Sequence, residues 1–285
     1  MKLRTVFLGI AVALPAPQLL FAQETAAPRF AAWNIGYRVP AGWQLAQQQG
    51  RVHGLTPTTP GSGIYVAPGM YANFTDVANE LPKAFQALGL VGQPAAAPTS
   101  ATIKGMQSMT ATFHAQGQGG ILAEVRVTAI LTSHGTGLVI MGLAPMQAGA
   151  QMSQATEQIA QSIEVLGAPQ PDQRAIAALR GRWIYYAGKA KPVTVIEGGG
   201  SRSHEENVEF DGAGQFTWSS ATTLSLTTPG SETSANSGGS NADQGTYTVI
   251  GSTLIVRGRQ GTASFEIQIL ADRIVADGKI FYRNN

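Results

Sequence analysis

The 285-residue chain has no cysteine. This excludes disulfides, thiolate nucleophiles and cysteine-ligated metal sites. An exported eukaryotic domain of this size would ordinarily carry disulfides, so the composition fits an exported bacterial chain stabilised by its cores. Histidine is nearly as scarce: His53, His114, His134 and His204 are the whole set. His114 and His134 flank one long strand pattern and stand roughly 30 Å apart at ~3.3 Å per residue, too far to share a metal or a triad. His204-Glu205-Glu206 offers ligand-type residues, but neighbours on a strand point to opposite faces and no second histidine is close in sequence. A solvated polar turn is the expectation there.

Motifs for chemistry are missing as well. There is no Gly-x-Ser-x-Gly elbow and no phosphate-cradling glycine loop. Gly117-Gln118-Gly119-Gly120 joins two strand patterns rather than a strand and a helix, so it fails the dinucleotide test. Glu124 and Arg126 share a strand face and read as a structural ion pair. An enzyme would need residues assembled from distant segments, such as His53 with Glu80. The expectation is a protein that is not an enzyme, with no catalytic residues, no metal and no cofactor.

Long apolar runs and basic runs are also absent. Met1-Lys2-Leu3-Arg4 precedes the apolar stretch Thr5–Leu14, and small residues follow to Ala22. That is the plan of a secretory signal peptide over residues 1–22, cleaved after Ala22. The stretch is shorter than the ~20 residues a membrane helix needs, so no transmembrane anchor is expected. No cysteine follows it, which rules out a lipoprotein. Removing Lys2 and Arg4 leaves 17 basic residues against 17 acidic ones, and a neutral chain without a basic face does not suit nucleic acid. The expected location is periplasmic or secreted.

What is present divides in two at Gly167-Ala168-Pro169-Gln170-Pro171-Asp172-Gln173-Arg174. The prolines fix φ and disfavour helix before them, and no large apolar residue lies between Leu166 and Ile176. Residues 167–174 therefore read as a short, stiff linker between modules at 27–166 and 175–285.

The first module opens with strand patterns at Ile35–Val39, Arg51–Leu55 and Gly63–Ala67. Asn73 can cap a helix with Val77, Leu81, Phe85 and Leu88 on one face. Pro82 in its interior would cost ~3 kcal/mol unless the helix kinks or starts late. Gln93–Ser100 reads as a loop. Three antiparallel strands follow, ending in Leu138–Leu143, which is apolar on both faces and so central. A last helix aligns Met152, Ala155, Ile159 and Ile163. With helices able to cover both faces, this is an α/β sandwich on an antiparallel sheet. On Tyr37-Arg38-Val39-Pro40-Ala41-Gly42-Trp43, Leu138-Val139-Ile140-Met141-Gly142-Leu143-Ala144 and Ile159-Ala160-Gln161-Ser162-Ile163, it resembles the PsbP-like fold, named for a photosystem extrinsic protein. The resemblance implies an interaction scaffold and partner binding.

The second module alternates short strands and turns: Arg182–Ala187, Asn207–Phe210, Phe216–Ser219, Gly245–Ile250, Thr253–Arg257, Ala263–Leu270, Ile274–Ala276 and Lys279–Arg283. Ile250-Gly251-Ser252-Thr253 and Ala276-Asp277-Gly278-Lys279 have two-residue hairpin chemistry. The first sets Val249 opposite Leu254 and Tyr247 opposite Val256. Pro229–Asp243, without a large apolar residue, reads as a mobile loop, and Gly198–Ser201 as a flexible connection. An all-β antiparallel meander of this length closes into a small barrel. The Gly181-Arg182-Trp183 segment, with Arg283 in the last strand, resembles the start and end of a lipocalin-like (calycin) domain. The resemblance implies structural barrel closure by Gly181, Trp183 and Arg283, with the arginine stacked on the indole. The module is shorter than full lipocalins and lacks their C-terminal helix.

Tyr185, Phe216, Trp218, Tyr247 and Phe265 fall at alternating positions. One reading makes them ligand-binding residues around a small apolar ligand; the other makes them barrel core, since a small barrel can fill with its own side chains. The corresponding functions are an exported binding protein, or a pure interaction or envelope assembly factor with an envelope protein partner and no ligand pocket.

Overall fold

A computed structural model describes residues 27–58, 61–117, 120–191, 199–227, 234–259 and 261–284. The expected signal segment, 1–22, lies outside the described residues. The chain forms an α/β module on an antiparallel sheet, followed by a closed antiparallel barrel.

In the first module, β1 (Arg29–Phe30), β2 (Ile35–Gly36) and, much later, β11 (Glu164–Val165) make a small sheet. The large sheet contains β3 (Trp43–Gln49), β4 (Val52–Pro57), β5 (Gly63–Gly69), β6 (Val91–Pro94), β7 (Thr99–Ile103), β8 (Met106–Gln116), β9 (Leu122–Leu131) and β10 (Gly137–Pro145). Its order is β3-β4-β5-β10-β9-β8-β6, with β7 also on β8, so the doubly apolar strand at Leu138–Leu143 is indeed central. Five strands were not foreseen: the short β1 and β11, and β3, β6 and β7 of the large sheet. Trp43–Gln49 carries a bulge between Leu45 and Gln47 that breaks its alternation. The expected loop at Gln93–Ser100 is occupied at both ends by β6 and β7, leaving only its middle irregular.

Helix α1 (Phe74–Ala87) starts where Asn73 accepts from the Thr75 and Asp76 amides, and Asp76 completes a capping box. Pro82 lies inside it. Val77 and Phe85 are buried, and Phe85 packs with Val125, Val127 and Met141 on one face of the sheet. Helix α2 (Gly149–Ser162) covers the opposite face, where Ala155, Ile159 and Ile163 join Ile64, Leu138 and Ile140. The strand residues alternate between these two cores, as a two-sided sheet requires. Arg126 pairs with Glu157 of α2 at 3.4 Å, and not with Glu124, which accepts from Ser153. The helix projects a closer carboxylate than the strand does.

Residues 167–174 are fastened to both modules. The Gln170 amide donates to Ala32 and the Asp172 amide to Val249. Asp172 caps α3 (Gln173–Ala178), which begins inside the expected linker.

The barrel runs β12 (Gly181–Lys191), β13 (Gly199–Phe210), β14 (Gln215–Thr227), β15 (Ser234–Ile250), β16 (Thr253–Gly258), β17 (Gly261–Ile269), β18 (Arg273–Ala276) and β19 (Lys279–Asn284), each paired with the next and β19 with β12. Val249 faces Leu254 and Tyr247 faces Val256, in the register expected. The two hairpin turns are as the sequence reads, with positive φ at Gly251, Asp277 and Gly278.

The expected mobile loop at Pro229–Asp243 is largely strand. Ser234–Asp243 extends β15 and pairs with Trp218–Thr227 across the hairpin; 228–233 lies outside the described residues. Backbone pairing to β14 supplies the order that the side chains do not signal. Gly199–Ser201 likewise belongs to β13, and Gly198 lies outside the described residues.

The modules share apolar surface. Ile250 and Ile255, on the outside of the barrel, are buried in the core of the first module beside Trp33 and Tyr37.

Candidate functional site

One end of the barrel is closed. Leu179, which follows α3, and Trp183 are fully buried, and the Trp183 indole N–H donates to the Leu179 carbonyl at 2.7 Å. The Arg283 guanidinium carbon lies 4.3 Å from the centroid of the Trp183 ring. The same guanidinium donates to the carbonyls of Arg180 and Ala178 at 3.2 and 3.1 Å, so it also caps the chain leaving α3. Gly181 adopts φ +119 between them, a value that L side chains rarely reach. Tyr247 belongs to this floor. Its hydroxyl donates to the Ile176 carbonyl and its ring meets Phe210 edge-on at 4.6 Å.

Above the floor is a cavity of about 740 Å³. Phe216, Trp218 and Phe265 line it, with Val208, Leu254 and Val256. Alternation on the strands aims these side chains inward. Of the five aromatics singled out in the sequence, these three line the space. Tyr247 is spent on the floor. Tyr185 stands to one side, with its ring 5.5 Å from Phe281 and under the Lys279 ammonium at 5.1 Å.

The cavity also has a polar wall that the sequence reading placed in a turn. His204 and Glu206 sit in β13 opposite Thr222 and Ser220 of β14, two residues apart and therefore on the same, inward face. The expected solvated turn is corrected: Glu205 points the other way, but its neighbours do not. Glu206 receives Lys279 Nζ at 2.5 Å and His204 Nε2 at 2.9 Å. A carboxylate can only accept, so Nε2 of His204 carries a proton and donates to it; Nδ1 lies 2.8 Å from the Thr222 hydroxyl, and either of those two can be the donor. Burial pushes the Glu206 carboxyl up, but the hydrogen bonds from Lys279 and His204 together hold it below its ordinary value. The i, i+2 spacing on a strand was the signal available.

The other candidate groups do not converge. His53 is buried, accepts from or donates to the Tyr37 hydroxyl at 3.0 Å, and stacks on Phe30 at 3.9 Å. Glu80 accepts from Tyr71 at 2.9 Å and pairs with Arg51. His53 and Glu80 thus serve different partners. His114 and His134 are exposed. Among the described residues no group of three or more acidic or histidine side chains is placed to hold a metal, and no helix is long and apolar enough to cross a membrane.

No family model matches the chain, and no curated protein matches it. Solved structures are similar over about half of it, among them the following three. LpqN of Mycobacterium tuberculosis, a protein involved in cell envelope biogenesis, aligns with 47% of this chain and 83% of its own at 18% identity and a TM-score of 0.37. The cyanobacterial PsbP of Synechocystis aligns with 52% of this chain and 98% of its own at 9% identity and a TM-score of 0.37. A protein of unknown function from Pseudomonas aeruginosa aligns with 52% and 98% at 17% identity and a TM-score of 0.31.

Proposed function

We propose that the chain is an exported, non-enzymatic binding protein whose barrel holds a small, largely apolar ligand, with the first module as its interaction scaffold. The observation that carries this reading is the cavity of about 740 Å³ between Phe216, Trp218 and Phe265. A barrel serving only as a structural core would fill that space with its own side chains. Binding would come from apolar burial, worth ~25 cal/mol per Å² before the cost of association. The Glu206–His204–Lys279 group gives a bound molecule hydrogen-bond partners on one side, which is the usual composition of a ligand pocket. Export rests on the Lys2/Arg4 charges before the apolar stretch at Thr5–Leu14.

The test is native mass spectrometry of the protein from its own host's envelope, with Ala263→Trp as the control. Ala263 lines the cavity, and a tryptophan there fills it. A small-molecule adduct that disappears in a folded Ala263→Trp barrel supports the reading. A bare chain mass in both proteins, with no uptake of the apolar dye 1-aminoanthracene, removes it.

A different observation favours the second reading, an interaction or assembly factor. Val91, Ile121 and Leu122 are 76%, 67% and 63% exposed. Val91 pairs with Gln116 and Gln116 with Leu122, so they gather at one corner of the sheet. Exposed apolar groups in one place mark contact surfaces. Leu122→Glu would then strip a co-purifying envelope protein and leave dye uptake untouched.

A further inference from the structure

The barrel wall is not of even height. β17 pairs with β16 from Gly261 to Glu266, but with β18 only through Ile267–Ile269. The β18–β19 hairpin turns back at Asp277–Gly278, and β19 rejoins β12 only at Tyr282–Asn284. On that side Gly261–Phe265 has no partner strand among the described residues. Those five residues, at ~3.3 Å each, leave a notch roughly 15 Å deep.

The notch opens against the first module. A second cavity, of about 550 Å³, lies between α1 and the barrel. Gly261, Thr262, Ala263, Phe265 and Asp277 line both this cleft and the barrel cavity. They are the rim of the notch and bound both spaces.

The two ends differ in chemistry. The barrel end is aromatic and aliphatic apart from the wall of His204, Glu206 and Lys279, which are hydrogen-bonded to one another. The cleft holds charged groups, and most of them are already engaged. Asp76 accepts from the Ala72 and Asn73 amides, Glu80 from Tyr71, and Asp277 from the Glu266 amide. Arg51 pairs with Glu80 and Glu266. Lys83 lines the cleft and makes no hydrogen bond or ion pair among the described residues. The hydrogen bonds leave Asp76, Glu80 and Asp277 charged, so the lining as a whole is not positive; Lys83 is the one cation in it without a partner among the described residues, and the point where an anionic group can pair.

We infer that barrel cavity, notch and inter-module cleft form one continuous site, entered from the side, for an elongated single-chain amphiphile with an anionic head. Its apolar chain lies in the barrel and its head lies in the cleft by Lys83. This rests on the reading that the barrel binds a ligand, and adds the route, the second half of the site and the ligand class.

The test uses the whole protein and three probes: dodecanoate, dodecyltrimethylammonium and the compact dye 1-aminoanthracene. Ser264 lines the cleft but not the barrel cavity. Ser264→Trp is expected to weaken dodecanoate about tenfold by obstructing the cleft, with the dye unchanged within about twofold. Lys83→Glu, on the exposed side of α1, folds regardless and is expected to weaken dodecanoate about fivefold while tightening dodecyltrimethylammonium. Dodecanoate binding that ignores both substitutions, or a wild-type preference for dodecyltrimethylammonium, overturns the continuous anionic site and leaves the barrel reading standing if the dye still binds. Failure of all three probes on the wild type overturns both.

Discussion

The Arg51 guanidinium lies 3.4 Å from the Glu266 carboxylate, and this contact joins a turn of the first module to a strand of the barrel. Neither group is free to leave. Arg51 also donates to the Pro68 carbonyl at 3.2 Å, and its side chain is 17% exposed. Glu266 accepts from the hydroxyls of Ser252 and Thr253, both at 2.8 Å. Gly50 packs against the same carboxylate, with φ +54, and a Cβ there would collide with it. Arg51→Ala should therefore loosen the modules more than it destabilises either one. A double-mutant cycle with Glu266→Ala should give a coupling of ~1 kcal/mol, at the upper end for a partly exposed pair. Hydrogen exchange should rise across β16 and β17. Strictly additive effects would mean that the ion pair adds nothing to what the apolar contacts of Ile250 and Ile255 and the backbone hydrogen bonds of Gln170 and Asp172 already hold.

Arg283 does two jobs at the barrel floor, and they separate by substitution. Arg283→Ala loses the stacking on Trp183 and leaves the Ala178 and Arg180 carbonyls without their donor. The expected cost is about 1–3 kcal/mol in urea denaturation. Arg283→Lys keeps the charge over the ring but cannot span both carbonyls, so it should recover only part of the loss. Full recovery by lysine would assign the stabilisation to charge alone.

The barrel was legible where its signals are local. Ile250-Gly251-Ser252-Thr253 declares a two-residue turn, and that turn fixes the opposition of Val249 and Leu254. The polar part of the site was not legible in the same way. Ser234–Asp243 is a strand only because β14 pairs with it, a relation between distant segments that leaves no apolar mark. His204 and Glu206 share the barrel interior with Lys279, 73 residues after Glu206 in the chain. No spacing rule connects them. Trp43–Gln49 was hidden by the bulge after Leu45, which shifts the alternation by one residue. The notch is harder still, because it depends on two strand lengths, β18 and β19, being shorter than their neighbours. The first module was more open to reading: the spacing of Met152, Ala155, Ile159 and Ile163 alone places α2 against the sheet.

His53 gives the first module an acid sensitivity. Burial lowers its imidazole pKa from 6.5. The folded chain then binds fewer protons than the unfolded chain, so the contribution to stability is present above pH 6.5 and is lost as the pH falls through the folded value. His53→Gln can still bond the Tyr37 hydroxyl but loses the stacking on Phe30. It should cost about 1–2 kcal/mol at pH 7 and flatten the slope of urea midpoint against pH between 6.5 and 5. An unchanged slope would place the acid sensitivity elsewhere.

Lys279 and Glu206 make an unequal pair, and the inequality predicts which substitution hurts more. The Lys279 side chain is 47% exposed and the Glu206 side chain 11%. When Glu206 is neutralised by Glu206→Gln, the ammonium can turn toward water, and the glutamine still bonds His204. When Lys279→Met removes the ammonium, the carboxylate stays in the barrel with His204 as its nearest donor. Lys279→Met should therefore cost more at pH 7, about 1–3 kcal/mol against less than about 1. The pH dependence follows from the same pair. With Lys279 present the Glu206 pKa is held below 4.5, so its contribution is present above that value and is lost as the pH falls through the folded one. Without Lys279 burial weighs more and pushes the pKa up, so the sign reverses: the carboxylate costs stability at neutral pH, and the cost is relieved as the pH falls and the group protonates. Urea midpoints of both variants from pH 7 to pH 3 should diverge most at neutrality and converge once Glu206 is protonated in both states. Equal costs at pH 7 would mean that the Lys279 ammonium gives the Glu206 carboxylate nothing beyond what the His204 Nε2 donor already supplies.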